Sequence, residues 1–148
     1  GIANIEQWDT TNIEFSGIGF GSADYCASTG GDMGKASLAY GRGKIINAAA
    51  LYNTLALDGV WLDFRDPDGC KEETLYVKSM GFSGRFAIHP DQIKPIHDAY
   101  RPTAQELEWA KGVLEEAKSA GTGAFKYQGK MVDAPVLAVA RSIISRED

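Results

Sequence analysis

Cysteine, histidine and long apolar runs are scarce in this sequence, and each scarcity excludes a class of protein. Only two cysteines, Cys26 and Cys70, occur in 148 residues, without a CxxC pair or a histidine at metal-ligand spacing. A zinc ribbon or finger is therefore excluded, because such sites need closely spaced cysteine or histidine ligands. A disulfide scaffold is excluded as well, and we expect both thiols to be reduced, as in cytoplasmic proteins.

No apolar run reaches the length of a membrane span, and the N-terminus lacks the basic flank and apolar core of a signal peptide. We therefore expect neither membrane insertion nor export. Fifteen lysines and arginines stand against twenty acidic residues, a net charge of −5, so we expect no nucleic acid partner. Apolar residues make up 44% and charged residues 24%, which is typical of a globular domain.

The first residues resemble the interior of a longer chain. Ile2, Ile5 and Trp8 are three residues apart, as on one face of a helix. No initiating methionine and no capping residue precede that face. We expect the sequence to be a fragment or a processed form of a longer protein.

Residues 1–101 alternate between strand and helix patterns. Short apolar runs predict strands at 14–21, 59–64 and 85–88, and helical spacing predicts helices at 45–57 and 72–80. No hairpin signal lies between the strands, so the pattern favours βαβ units and a parallel sheet. A closed eight-stranded barrel typically needs ~250 residues. This α/β region is therefore either part of a barrel or an open sheet.

Residues 102–148 carry a different pattern, with helices at 105–120 and from Asp133 to Ile144. A further helix at 90–99 precedes them. Thr103 and Glu106 have the spacing of a capping box, which predicts a helix start there. Residues 124–127 and 130–132 alternate around Gln128 and Gly129, as a hairpin would.

Carboxylates follow two of the predicted strands. Asp24 comes after the first strand, in a predicted polar loop, where it is either a magnesium ligand or a turn residue that accepts backbone hydrogen bonds. Asp63, Asp66 and Asp68 surround an Asp-Pro-Asp-Gly turn after the second. For Asp66 and Asp68 we favour a turn and helix start over a metal loop, because no calcium-loop register continues beyond them.

Two further positions have competing interpretations. Asp133 is either the N-cap of the last helix or a catalytic group. Residues 40–44 form a basic, glycine-rich loop in which Tyr40, Arg42 and Lys44 either bind a CoA phosphate or only keep the loop soluble. For His89 we predict a structural role at a strand end.

Residues 81–90 and 129–135, in this order and spacing, resemble the C-terminal part of the citrate lyase beta subunit and malyl-CoA lyase family. The resemblance implies the C-terminal portion of a (β/α)8 TIM barrel, about three βα units, followed by a helical lid with a short hairpin at 102–148. Residues 20–24 match a family motif that makes Asp24 a magnesium ligand. The lid motif implies that Asp133 acts as an acid or base at a neighbouring subunit of a homotrimer or hexamer.

The same resemblance implies a Mg²⁺-dependent carbon–carbon lyase that cleaves 3-hydroxyacyl-CoA thioesters, such as malyl-, citramalyl- or citryl-CoA, to acetyl-CoA or propionyl-CoA and an oxo acid. A second magnesium ligand, a glutamate, would lie upstream of Gly1, and the catalytic arginine of the family has no counterpart here. We therefore expect this chain alone to be inactive. The alternatives are a thioesterase of the same family and a non-catalytic half-barrel that serves assembly.

Overall fold

A computed structural model describes residues 1–9, 13–121 and 123–147. The chain folds as two compact units, Gly1–Tyr100 and Arg101–Asp148. In the described part of the chain, no helix is both long enough and apolar enough to cross a membrane.

The first unit is built on a three-stranded parallel sheet. Strands β1 (Gly17–Gly19), β2 (Leu55–Asp58) and β3 (Gly84–Arg85) lie in the order β1-β2-β3. Ile18 pairs with Ala56, and Asp58 pairs with Arg85. The predicted parallel sheet is therefore confirmed, and the carboxyl ends of its strands meet at one edge.

Four α-helices connect and cover these strands: α1 (Ser22–Thr29), α2 (Lys35–Leu51), α3 (Pro67–Met80) and α4 (Ile93–Tyr100). Short 3-10 helices span Ile2–Gln7 and Pro90–Gln92. Helix α3 has clear end signals, since the Asp66 side chain caps its start and Gly81, at φ 116°, ends it.

Several predicted boundaries are wrong. The second strand is Leu55–Asp58 rather than 59–64, and helix α2 begins at Lys35 and ends at Leu51 instead of spanning 45–57. Asn53, at φ 50°, breaks the helix pattern, and β2 follows at once. The first and third strands are shorter than predicted, because pairing covers only Gly17–Gly19 and Gly84–Arg85.

The core of the first unit lies between one face of the sheet and the helices. Its buried members include Ile18, Phe20, Leu38, Ala48, Ala56, Val77 and Phe82. Gly41 in α2 is needed for this packing, since a Cβ there would lie 2.6 Å from the Phe20 ring. Alternate strand residues point to opposite faces, and on the other face Leu55 and Phe86 are exposed.

The second unit pairs two helices with a hairpin. It contains α5 (Ala104–Ala120), β4 (Phe125–Tyr127), β5 (Lys130–Val132) and α6 (Ala134–Ile144), around buried Ala110, Val113, Val132 and Ala140. Gln128 and Gly129 turn the antiparallel hairpin with positive φ values of 48° and 78°. The predicted hairpin and the capping box of Thr103 and Glu106 are both confirmed.

Candidate functional site

Asp24 lies at the carboxyl edge of β1, in the first turn of α1. The loop predicted for it is wrong, because α1 begins at Ser22, immediately after the Gly21 cap. The exposed side chain of Asp24 borders a cavity of about 390 Å³, whose other lining residues include Ile5, Gly19, Tyr25 and Thr29. A carboxylate in the first turn of a helix is stabilised by the positive end of the helix dipole.

The chemistry of Asp24 fits one position of a magnesium site. Mg²⁺ prefers oxygen ligands and usually keeps several waters beside one or two carboxylates. The described residues contain no cluster of three or more histidine, cysteine or acidic side chains that could hold a metal. Asp24 therefore suits one ligand position of such a site, and waters or other oxygen ligands would fill the remaining positions.

A buried ionic network lies beneath the same edge of the sheet. Asp58, fully buried at the end of β2, accepts hydrogen bonds from Arg42 Nε and Nη2 at 3.0 Å each and from Arg85 Nη2 at 3.1 Å. Arg42 Nη2 also contacts Glu73 Oε1 at 2.8 Å. Burial of the guanidinium lowers the pKa of Arg42, but its pairing with Asp58 and Glu73 prevails and raises that pKa above its ordinary value.

Buried polar side chains also hold the loops that follow β2 and β3. Arg85 Nε donates to the carbonyl oxygen of Gly59 at 3.1 Å. Gln92 Nε2 donates to Trp61 O at 2.7 Å, and Gln92 Oε1 accepts from Ile88 N at 2.9 Å. Gln92 is 1% exposed. The two loops are therefore joined to each other and to the sheet by hydrogen bonds of the buried side chains of Arg85 and Gln92.

Asp133 caps helix α6 in the second unit. Its Oδ1 accepts from Val136 N at 3.4 Å, and Pro135 occupies the first turn. The cavity of about 430 Å³ in that unit is lined by Gln105, Glu106, Glu108, Trp109, Tyr127, Gln128 and Lys130, without Asp133. The capping role of Asp133 is thus observed, whereas its role as an acid or base stays a prediction.

Residues 43–148 match a family described as C-C bond lyase of the TIM-barrel fold. The chain belongs to this family of carbon–carbon bond lyases. The predicted family resemblance and the fold class are therefore confirmed, and the three parallel strands with their helices are part of a TIM barrel.

Individual members of the lyase family are similar over most of this chain. A mitochondrial citramalyl-CoA lyase of Rattus norvegicus is 36% identical over 131 residues, covering 85% of this chain and 39% of that protein. The citrate lyase subunit beta of Escherichia coli (strain K12) is 34% identical over 153 residues, covering 100% of this chain and 51% of that subunit. The chain spans about half or less of the length of these relatives.

A solved structure of a lyase relative contains ligands. Protein CitE from Mycobacterium tuberculosis, in complex with magnesium, acetoacetate and coenzyme A, matches with a TM-score of 0.76 and 35% sequence identity. The match covers 89% of this chain and 52% of that one.

The structure has a helix where a basic, glycine-rich loop is predicted at residues 40–44. These residues lie inside α2, which begins at Lys35, so no helix N-terminus is present there. Arg42 is 2% exposed and engaged by two carboxylates. Lys44 Nζ contacts Glu6 at 2.7 Å, and this hydrogen bond raises the pKa of Lys44. A contact of Tyr40, Arg42 or Lys44 with CoA stays a prediction. It no longer has the support of a helix N-terminus beside these residues.

The acidic turn and His89 have the structural roles predicted for them. Asp66 caps α3 by accepting from Gly69 N at 2.9 Å, and Asp68 lies in the first turn of that helix. Asp63 accepts from Arg65 N at 3.0 Å. His89 Nδ1 accepts from Asp91 N at 3.2 Å, and its ring stacks on Phe64.

Sequence reasoning missed the network of Arg42, Asp58, Glu73 and Arg85. Asp58 is 16 positions from Arg42 and 27 from Arg85, so no local motif joins them. The sequence offers one signal for this network, which is a charged residue inside a short apolar run. In Leu55–Asp58, the aspartate occupies a position that alternation assigns to the buried face.

Proposed function

We propose that this chain is part of a magnesium-dependent carbon–carbon lyase that cleaves 3-hydroxyacyl-CoA thioesters of the malyl-, citramalyl- or citryl-CoA type. The products would be acetyl-CoA or propionyl-CoA and an oxo acid. The observation that carries the proposal is the exposed carboxylate of Asp24, at the carboxyl edge of the barrel sheet and on the rim of a cavity. Active sites of TIM barrels lie at this edge.

The named relatives support both the reaction class and the cofactor. One relative is a citramalyl-CoA lyase, and the CitE structure contains magnesium, acetoacetate and coenzyme A together. Asp24 is the side chain of this chain that we assign to magnesium. The metal, when bound, supplies a Lewis acid that stabilises negative charge on the oxygen of the departing enolate.

Proton transfer is assigned to Asp133. Cleavage of a 3-hydroxyacyl thioester requires removal of the hydroxyl proton and protonation of the enolate carbon, and a carboxylate held at a fixed position serves such steps. The backbone of α6 fixes Asp133 by its capping hydrogen bond. We propose that it acts in a homotrimer or hexamer, where the second unit serves as a lid over a neighbouring subunit.

The free, buried thiols of Cys26 and Cys70 support a reducing, cytoplasmic location for this enzyme.

A non-catalytic assembly module is the second candidate. It is favoured by the single candidate metal carboxylate, since the described residues hold no metal cluster. The two candidates differ in metal dependence, because an assembly module has no magnesium-dependent turnover.

The test uses the full-length protein that contains this chain. Turnover of malyl-CoA and citramalyl-CoA is measured against Mg²⁺ concentration for the wild type, Asp24→Asn and the control Asp68→Asn. We expect Mg²⁺-dependent cleavage that Asp24→Asn reduces by about 10²-fold or more, while Asp68→Asn leaves it unchanged. Hydrolysis of the thioester without carbon–carbon cleavage would identify a thioesterase, and absence of any turnover would favour the assembly module.

A further inference from the structure

Gly59, directly after β2, lies against the segment that carries Asp24. A Cβ at Gly59 would lie 2.7 Å from Ser22 Cβ and 3.0 Å from the carbonyl oxygen of Phe20, and it would overlap Ser22 Oγ. Ser22 is 3% exposed, so its side chain cannot turn out into solvent without a shift of the surrounding residues. The absence of a side chain at Gly59 therefore determines how closely the start of α1 approaches β2.

The start of α1 in turn determines where the Asp24 carboxylate lies. Ser22 N donates to Phe20 O at 2.9 Å, which ties the first helical residue to the end of β1. Asp24 is two residues further along the same turn, and its Oδ2 would lie 3.3 Å from a Cβ at Gly21. A displacement of Ser22 is therefore transmitted to the Asp24 carboxylate within one rigid turn.

Gly59 is also bound by Arg85, through its backbone carbonyl oxygen. The guanidinium donates from Nε to Gly59 O at 3.1 Å, from Nη2 to Asp58 Oδ2 at 3.1 Å and from Nη1 to Thr74 Oγ1 at 3.3 Å. The Arg85 side chain is 1% exposed, so these bonds are shielded from water. A guanidinium bonded through all three nitrogens fixes its neighbours in a way that a lysine ammonium does not.

We infer that Gly59 and Arg85 are positioning residues for Asp24, which set the metal affinity of this carboxylate without touching the metal. Magnesium requires nearly ideal octahedral geometry with oxygens at about 2.0–2.1 Å. A shift of a few tenths of an ångström in the start of α1 therefore weakens binding. The inference rests on the proposed function, since it assigns Asp24 to the metal.

The experiment compares Gly59→Ala with Gly43→Ala in the full-length protein. A Cβ at Gly43 meets no atom within 4 Å, so this variant controls for the change of residue type. We measure the Mg²⁺ concentration for half-maximal turnover, Mn²⁺ affinity by electron paramagnetic resonance, and the melting temperature. Gly59→Ala should weaken metal affinity roughly 10-fold or more, as losses of supporting contacts around a metal do, and Gly43→Ala should not change it.

A rescue variant separates positioning from general damage. Ser22→Gly removes both side-chain atoms that a Cβ at Gly59 would strike, so Gly59→Ala combined with Ser22→Gly should recover most of the metal affinity. Arg85→Lys provides a second route, because it keeps the charge beside Asp58 but loses the fork that reaches Gly59 O. It should weaken metal affinity with a smaller loss of maximal turnover.

The outcomes distinguish this inference from the proposed function. If Asp24→Asn abolishes metal binding while Gly59→Ala and Arg85→Lys alter only the melting temperature, the positioning role is refuted and the proposed function stands. If Asp24→Asn leaves Mn²⁺ affinity unchanged, Asp24 is not the metal ligand, and both fail. Weakened affinity in Gly59→Ala without recovery by Ser22→Gly would also contradict the inference, because the contact with Ser22 would then not transmit the effect.

Discussion

Asp58 and Arg85 are joined twice, as Cα partners in the register of β2 and β3 and as a side-chain ion pair of 3.1 Å. Both side chains are at most 1% exposed. The pairing of the two strands therefore also brings two opposite charges together where water does not screen them. Arg42 adds a second guanidinium to the same carboxylate, so Asp58 binds two buried cations, of which Arg42 is also paired with Glu73.

Removal of this carboxylate should destabilise the fold strongly. Asp58→Ala leaves Arg42 and Arg85 buried with less compensation, and we expect a loss of about 3–5 kcal/mol in the free energy of unfolding. Urea denaturation of the full-length protein measures it. The control is Glu72→Ala, whose side chain is 80% exposed and 3.7 Å from Lys35, and which should change stability by less than ~1 kcal/mol. Equal losses in both variants would refute the central role of Asp58.

Gly41 and Gly43 in α2 give a matched pair with opposite expected effects. A Cβ at Gly41 would lie 2.6 Å from the Phe20 ring, whereas a Cβ at Gly43 meets nothing within 4 Å. Gly41→Ala should therefore lower stability by about 1–3 kcal/mol through overpacking. Gly43→Ala should raise it by up to ~1 kcal/mol, because alanine is the better helix former. Thermal unfolding of both variants measures the two effects. A shift of the melting temperature of the same sign in both would contradict the close packing of Gly41 against Phe20.

The sequence predicts correctly those elements that depend on residues close to each other in the chain. The capping box at Thr103 and Glu106, and the hairpin turn at Gln128 and Gly129, depend on residues within a few positions of each other. Helix α2 was misplaced because its interior contains Gly41, which usually indicates a loop. That glycine serves a distant partner, the ring of Phe20, and a tertiary contact of this kind leaves no local pattern.

The candidate site likewise contains one residue that local sequence signals indicate and several contacts that they do not. The sequence makes Asp24 a candidate magnesium ligand because the end of a predicted strand and a family motif both point to it. The contact of Gly59 with Ser22, and the hydrogen bond from Arg85 to Gly59 O, join three separate βα units. Such contacts are determined by sheet register, so they could be seen only after the strands were placed.

Burial of Cys70 gives the stability of the fold a defined dependence on pH. The thiol is fully buried, and burial raises its pKa above the ordinary value of 9.0. Above pH 9 the unfolded chain loses the thiol proton while the folded chain keeps it, so the folded state binds more protons. Stability should therefore fall as pH rises from 9 toward the higher pKa of the folded state, and this contribution is fully present below pH 9.

Cys70→Ala removes this contribution, so the pH profile is compared between the variant and the wild type. The free energy of unfolding of the wild type should decrease more steeply between pH 9 and 10 than that of the variant. Cys26→Ala, which retains Cys70, serves as the control and should keep the steeper decrease. Parallel profiles for wild type and Cys70→Ala would show that the thiol does not titrate differently in the folded state.

Asp133 combines a structural role with a proposed catalytic one, and the chemistry of capping allows the two to be separated. Asn and Ser cap helices about as well as Asp does, but neither carries a carboxylate that transfers a proton near neutral pH. Asp133→Asn and Asp133→Ser should therefore keep the hydrogen bond to Val136 N while they abolish acid–base function. We expect both to retain wild-type stability and to lose about 10²–10⁴-fold in turnover.

Asp133→Ala provides the comparison, because it loses the cap as well and should lower the stability of α6 by about 1 kcal/mol. If Asp133 only caps the helix, turnover should follow stability, so that Asp133→Asn and Asp133→Ser stay active and Asp133→Ala alone is affected. If it transfers a proton, all three should be equally inactive despite different melting temperatures.

Mixing an inactive Asp133→Asn chain with an inactive Asp24→Asn chain extends the test. Recovery of activity in mixed oligomers would indicate that Asp133 serves a neighbouring subunit, since only then does one site combine two intact residues.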